Sequence, residues 1–263
     1  MADVAGAEKV LPPGRRGYPM STQPHLRVDD GDVHDVALLP GDPGRVERIV
    51  DRCDAVEELA RNREYYLCNA EYDGVSLTVC STGVGSPSAA IALEELAAVG
   101  VGTVIRPGTT GALQSGIEIG DMVVATAAAK EEGTTKRYER VEYPAAPDFD
   151  VVCALVDAAE AADETVHVGP IVTDDAFYAE TDDYVADWEA AGLLAVEMEA
   201  AALFALARRK GLRAGAVCTV DGNLVEGTQK GSGDVSGGEL PPKARDNVDR
   251  MIGLALDAAA TLG

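Results

Sequence analysis

Apolar runs of strand length alternate with segments of helical period along most of this chain. "DVALLP" (35–40) predicts a short buried strand, and "PGRVERIV" (43–50), with proline in its first turn, predicts a helix. "REYYLCNAEYDGVSLTVC" (63–80) alternates about Asp73-Gly74, the pattern of a hairpin. An amphipathic helix is expected at "SPSAAIALEELAAVG" (86–100), followed by strands at "GTVIRP" (102–107) and "GDMVVATAAA" (120–129). The pattern continues with a helix at 150–163, strands at "VHVGPIV" (166–172) and "AGAVCTV" (214–220), and a closing helix at 242–261. "LLAVEMEAAALFALARRKG" (193–211) predicts a helix starting near Glu197 and ending at Lys210–Gly211. Residues 1–24 have no hydrophobic period and read as a loose arm, and the glycine-rich stretch 221–240 reads as a lid. Alternation over 25–263, without internal repeats, argues one α/β domain in which a mixed central sheet is flanked by helices. Ligands in such folds sit at the C-terminal ends of strands.

Composition narrows the setting. No apolar run reaches the roughly 20 residues that span a bilayer, and the first residues lack the apolar core of a signal peptide. The five cysteines (53, 68, 80, 153, 218) never form a CxxC pair and read as reduced thiols, so a cytoplasmic location is expected. With three histidines, no histidine-based metal site is expected. The 45 acids against 22 bases give a net charge of −23, and only six of the bases are lysine. That field repels nucleic acid and anionic membranes. Dispersed acids with few lysines suit a high-salt, halophilic cytoplasm, where screening relieves self-repulsion. An anionic ligand would need the few arginines gathered at its site.

Three small-residue loops after predicted strands offer such a place: "PGDPGR" (40–45), "STGVGSP" (81–87) and "RPGTTGA" (106–112). Glycines let backbone N–H groups approach a ligand, and the next helix N-terminus favours an anion. Arg45 and Arg106 add charge-assisted donors suited to phosphate oxygens. Taken singly, each loop also reads as a tight βα connection. Glu197 and Glu199 head an apolar helix. Glu197 reads equally well as a first-turn acid complementing the helix dipole. Glu199 would share a stripe with Leu203 and Leu206, which puts its carboxylate at a cavity wall.

Five ordered blocks, "PGDPGRVERI", "STGVGSPSAAIALEEL", "IRPGTTGALQ", "DAFY" and "VEMEAA", resemble the nucleoside phosphorylase-I family, closest to its uridine phosphorylase branch. The resemblance runs from about His25 to the last helix. It implies a sheet partly closed into a barrel and phosphorolysis of a nucleoside to free base and ribose 1-phosphate. Inorganic phosphate is then a co-substrate, and no cofactor is implied. Gly41, Arg45, Arg106 and Thr109 would hold phosphate, with Arg63 reaching a neighbour's phosphate across a dimer interface. His25 would cross that interface to the ribose 5′-hydroxyl. Met198 and Glu199 would hold the sugar, and Phe177 would stack near base and sugar. The implied assembly is a dimer-based homo-oligomer, commonly a hexamer built as a trimer of dimers.

The pattern fails at the base. Uridine phosphorylases read uracil with a glutamine and an arginine after "FY", where this chain carries Thr181 and Asp183. The purine branch uses an aspartate in a "VSD" loop, and here "TVDGN" (219–223) places Asp221 one position early. Asp221 could serve purine N7, accept guanine's N1–H and amine, or merely begin the lid. Glu197 stays either structural or near the base. Uridine and a purine nucleoside such as guanosine therefore both stand as expected substrates. A hydrolytic nucleosidase and a non-catalytic nucleoside- or phosphate-binding protein are the rivals.

Overall fold

Alternating hydrophobicity has to be satisfied on both faces of any sheet this chain builds, and the order of elements does so. The computed structural model describes residues 22–228 and 242–263. They form β1 (Val36–Leu38), α1 (Pro43–Val50), β2 (Ala55–Asn62), β3 (Tyr65–Tyr72), β4 (Val75–Cys80) and α2 (Ser86–Ala98). Next come β5 (Thr103–Ala112), β6 (Met122–Glu131), α3 (Thr135–Tyr138), α4 (Phe149–Ala161) and β7 (Val166–Asp174). A 3-10 turn (Phe177–Ala179), α5 (Asp182–Ala190), β8 (Ala195–Glu197), α6 (Ala200–Lys210), β9 (Arg213–Asn223) and α7 (Pro242–Leu262) complete the order.

The strands make one mixed sheet in the order β2-β3-β4-β1-β5-β8-β7-β6-β9, and a further β5–β9 pairing closes β5, β8, β7, β6 and β9 into a five-stranded barrel. Parallel β1–β4, β1–β5, β5–β9 and β6–β7 pairs fit the strand–helix alternation. One apolar core packs α2 and α6 against the sheet, with Leu93, Leu96, Phe204 and Leu206 all buried. A second core packs α1, α4 and α7, around Ile49, Leu155, Met251 and Ile252.

Several boundaries differ from the sequence expectation. β5 runs through "GTTGA" to Ala112, so Arg106 and Thr109 lie within a strand rather than in a loop after one. Its pairing with both β9 and β8 gives those glycine- and threonine-rich residues ladder partners. The helix expected near Glu197 begins at Ala200, because Ala195–Glu197 pair with β5 and β7 as β8. All eight residues Ala200–Ala207 are buried, so α6 has no polar face there. Gly211 ends the helix in the left-handed conformation, φ 78°. Asp221, Gly222 and Asn223, expected to begin the lid, are buried residues of β9. The remaining lid positions, 229–240, and residues 1–21 of the expected arm lie outside the described residues.

Phe204 has no exposed surface and sits in the core between α6 and the sheet. Phe204→Ala is expected to lower unfolding free energy by about 3–5 kcal/mol in denaturant titrations at fixed salt. A loss below about 1 kcal/mol would contradict this placement.

Candidate active site

At the C-terminal edges of these strands lies a cavity of about 1180 Å³. The β1–α1 connection brings Gly41 and, from the first turn of α1, Arg45 to its wall. Asp42 caps α1 by accepting from the Gly44 N–H at 3.0 Å, and so fixes the helix start that aims Arg45. β5 contributes Arg106 and Thr109. Met198 and Glu199 enter from the β8–α6 junction, Phe177 from the 3-10 turn and Asp221 from β9.

Arg106 is buried between two carboxylates. Its Nε donates to Glu197 Oε2 at 2.9 Å, and its Nη2 pairs with Glu199 Oε2. Burial alone would lower the Arg106 pKa, but Glu199 and Glu197 more than offset it and hold the guanidinium charged. Its Nη1 is buried and has no hydrogen-bond partner among the described residues. A methyl group on Gly41 would stand 3.8 Å from that nitrogen, which locates it beside the β1–α1 loop. An unpaired guanidinium N–H in a dry wall is costly, and an anion in the cavity would satisfy it. Arg45 is also buried, and its Nη1 donates to the Pro107 carbonyl at 3.2 Å. Desolvation, then repulsion from Arg106, pulls its pKa below the usual arginine range. Two closely spaced buried cations are complementary to an oxyanion.

Glu197 is fully committed. It accepts from Arg106, from Thr173 Oγ1 at 2.6 Å, and from the N–H groups of Glu199 and Ala200 at 2.8 and 2.9 Å. Its dipole-complementing reading therefore describes the geometry, although it acts from a strand and not from the first helical turn. Glu199 stands at the N-cap of α6 and not on a helical stripe. Its Oε1 accepts from the Gly85 N–H at 2.6 Å, which brings the "STGVGSP" loop to the site. Gly85 adopts φ 92°, open to glycine and strained for other residues. Burial pushes the Glu199 carboxyl up, while Arg106 opposes the shift.

Asp221 reaches the cavity through an irregularity in the β5–β9 ladder. Thr110 pairs with Val220 but Gly111 pairs with Gly222, so Asp221 is the extra residue of a bulge. From this bulge Asp221 lines the cavity. Thr181 and Asp183 are not brought there. Both are exposed, Thr181 accepts from the Tyr184 N–H as the cap of α5, and Asp183 lies in that helix's first turn. Glu180 and Asp174 line the cavity instead, and the sequence reading missed both. Thr181's capping residue type, followed by two acids, is the signal that would have assigned it to a helix start.

His25 and Arg63 also lie outside the cavity of their own chain. His25 is tethered to the buried Glu95, which accepts from its backbone N–H at 3.0 Å and meets its Nδ1 at 2.5 Å. Arg63 is exposed at the β2–β3 turn with φ 56°, a left-handed conformation disfavoured for a side chain of this kind. Among the described residues, no group of three or more His, Cys, Asp or Glu side chains is arranged to hold a metal ion, and no helix is long and apolar enough to cross a membrane.

Comparison with known proteins places this geometry. The model of a family described as the phosphorylase superfamily matches residues 35–259. A guanosine phosphorylase of Halorubrum lacusprofundi is 66% identical over 92% of this chain and 100% of its own length. A uridine phosphorylase of Thermococcus kodakarensis is 46% identical over 77% of this chain and 78% of its own. Among solved structures, a purine nucleoside phosphorylase of Toxoplasma gondii in complex with immucillin-H superimposes with a TM-score of 0.85 at 32% identity, covering 92% of this chain and 97% of that one.

A methyl group on Gly108 would lie 2.8 Å from Cys218 Sγ and 3.2 Å from Arg106 Cζ. Gly108→Ala is therefore expected to shift Arg106 and weaken binding of inorganic phosphate about tenfold, roughly 1.4 kcal/mol, by titration calorimetry. Unchanged phosphate affinity would contradict the role given to Arg106.

Proposed function

The chain belongs to the phosphorylase superfamily, and from that premise we propose that it is a guanosine phosphorylase, cleaving the N-glycosidic bond with inorganic phosphate to release guanine and ribose 1-phosphate. The observation that carries the phosphate half is that Arg106, which lines the cavity with Arg45, has a buried Nη1 without a hydrogen-bond partner among the described residues. In this reading Gly41, Arg45, Arg106 and Thr109 hold the phosphate, and Met198 and Glu199 hold the ribose.

The chemistry needs positioning more than covalent help. Phosphate, aligned on the arginines, attacks C1′ as the glycosidic bond lengthens, and the sugar gathers positive charge. The Glu199 carboxylate, accepting from ribose hydroxyls, would add negative potential beside that charge. The electron pair of the broken bond leaves with the base. Phe177 would pack on the base or sugar.

Guanosine is favoured over uridine by two independent facts. The relative with 66% identity is named for guanosine. Around Phe177 the described cavity wall offers carboxylates and no cation, which suits a base edge rich in N–H donors. Asp221 would accept guanine's N1–H and exocyclic amine. Uracil, with two carbonyls and a single N–H on that edge, is a poorer match to such a wall.

His25 and Arg63 lie outside their own cavity, which supports an assembly in which each reaches a neighbour's site, dimer-based and built up to a hexamer. The acidic, lysine-poor composition supports an enzyme of a halophilic cytoplasm. Its nucleoside chemistry suits nucleoside catabolism and nucleotide salvage, and the reaction as proposed uses phosphate and no cofactor.

Incubating the protein with guanosine and phosphate is expected to yield guanine and ribose 1-phosphate, with no guanine when phosphate is omitted. Glu199→Gln should lower kcat/KM by roughly 10²–10⁴-fold. Phosphate-independent guanine release would favour a nucleosidase, and no release would favour a binding protein.

A further inference from the structure

Among the described residues, the two cations of the cavity lining are Arg45 and Arg106, and Arg106 is held by Glu197 and Glu199. Glu180 shares the lining with two further acids that push its carboxyl up, Asp174 from β7 and Asp221 from the β9 bulge. Glu180 owes its place to the helix behind it. Thr181 turns its hydroxyl back to cap α5, and Glu180, extended at φ −68° and ψ 106°, joins that cap to the 3-10 turn carrying Phe177. The residue facing the cavity is therefore Glu180, one position before the threonine that the family pattern aligns with a base reader.

The carboxylates of the described wall match only part of a guanine edge. N1–H and the exocyclic amine are donors, but O6 is an acceptor and would meet repulsion from an ionised acid. We propose that Glu180 is a specificity residue that works as a neutral carboxylic acid, donating its O–H to O6 of a 6-oxopurine while the Asp221 carboxylate accepts N1–H and the amine. This deepens the guanosine phosphorylase reading and rests on it. The case for an anionic ligand stands apart from these acids, on Arg106 Nη1, buried and without a partner among the described residues.

Electrostatics supports the proton's presence. Three carboxylates that share a half-dry wall cannot all ionise cheaply. Desolvation first, then Asp174 and Asp221, pushes Glu180 up to about 7. The Tyr184 hydroxyl, on α5, lies near Asp174, Glu180 and Glu131 and is itself held neutral by burial and Asp174. The proton remains on Glu180 throughout. As the base departs with the bond's electron pair, O6 becomes more negative and the O–H···O6 bond strengthens, so the effect falls on kcat/KM.

The test compares kcat/KM for guanosine in the wild type, Glu180→Gln and Glu180→Ala between pH 6 and pH 8. Glutamine presents an N–H donor that does not titrate. The ratio of wild type to Glu180→Gln cancels the ionisation of phosphate, which is common to both. With Glu180 at about 7, this ratio should fall about tenfold from pH 6 to pH 8. Glu180→Ala should lose at least about tenfold on guanosine at pH 6, and less on adenosine, which has no O6 to receive the proton. A pH-independent ratio, or an alanine variant as active on guanosine as the wild type, would overturn the proposal while leaving phosphorolysis intact. A wild type that cleaves no guanosine would overturn this proposal and the reading beneath it together.

Discussion

Arg106, clasped between Glu197 and Glu199, fixes where everything else in the site can stand. Placing three charges in a dry interior is expensive unless geometry and further hydrogen bonds satisfy them. The fold brings four elements together to do so. β8 carries Glu197, β7 supplies the Thr173 hydroxyl, the start of α6 supplies two N–H groups, and the glycine-rich loop before α2 supplies the Gly85 N–H to Glu199. Glu197 spends all its capacity on this frame. Glu199 and Arg106 keep their places at the cavity wall, and Arg106 Nη1 has no partner among the described residues.

That network answers the question posed by the charge of −23. Anionic ligands face an unfavourable field over most of this surface, so attraction must be local. Two buried arginines, screened from the acidic exterior and held in rigid elements, create a site of opposite sign inside an acidic protein. The second arginine is as constrained as the first: Arg45 rides on the capped first turn of α1 and bonds to β5 at Pro107.

Much of this was legible in the sequence. Hydrophobic period located β1, α1, the β3–β4 hairpin, α2, α4 and α7 closely, since burial of their own apolar residues rules each of them. It misjudged β5 and the head of α6, because "GTTGA" and "AVEM" owe their strand structure to partners distant in the chain. Local pattern carries no trace of such pairings. The placement of Asp221 depends on a single extra residue in the β5–β9 register, and a bulge of this kind has no signature in "TVDGN". Thr181 was misread for the opposite reason. Its capping role is local and readable, but the family pattern aligns Thr181, and not its neighbour Glu180, with a base-reading position.

A crystal structure with inorganic phosphate and guanosine bound would test the central claim most directly. The account predicts phosphate oxygens within hydrogen-bond distance of Arg106 Nη1 and Arg45, with Glu199 on the ribose hydroxyls and Glu197 still bound to Arg106 Nε. Phosphate seated elsewhere, with Arg106 Nη1 still unpaired beside an empty Gly41 loop, would contradict it.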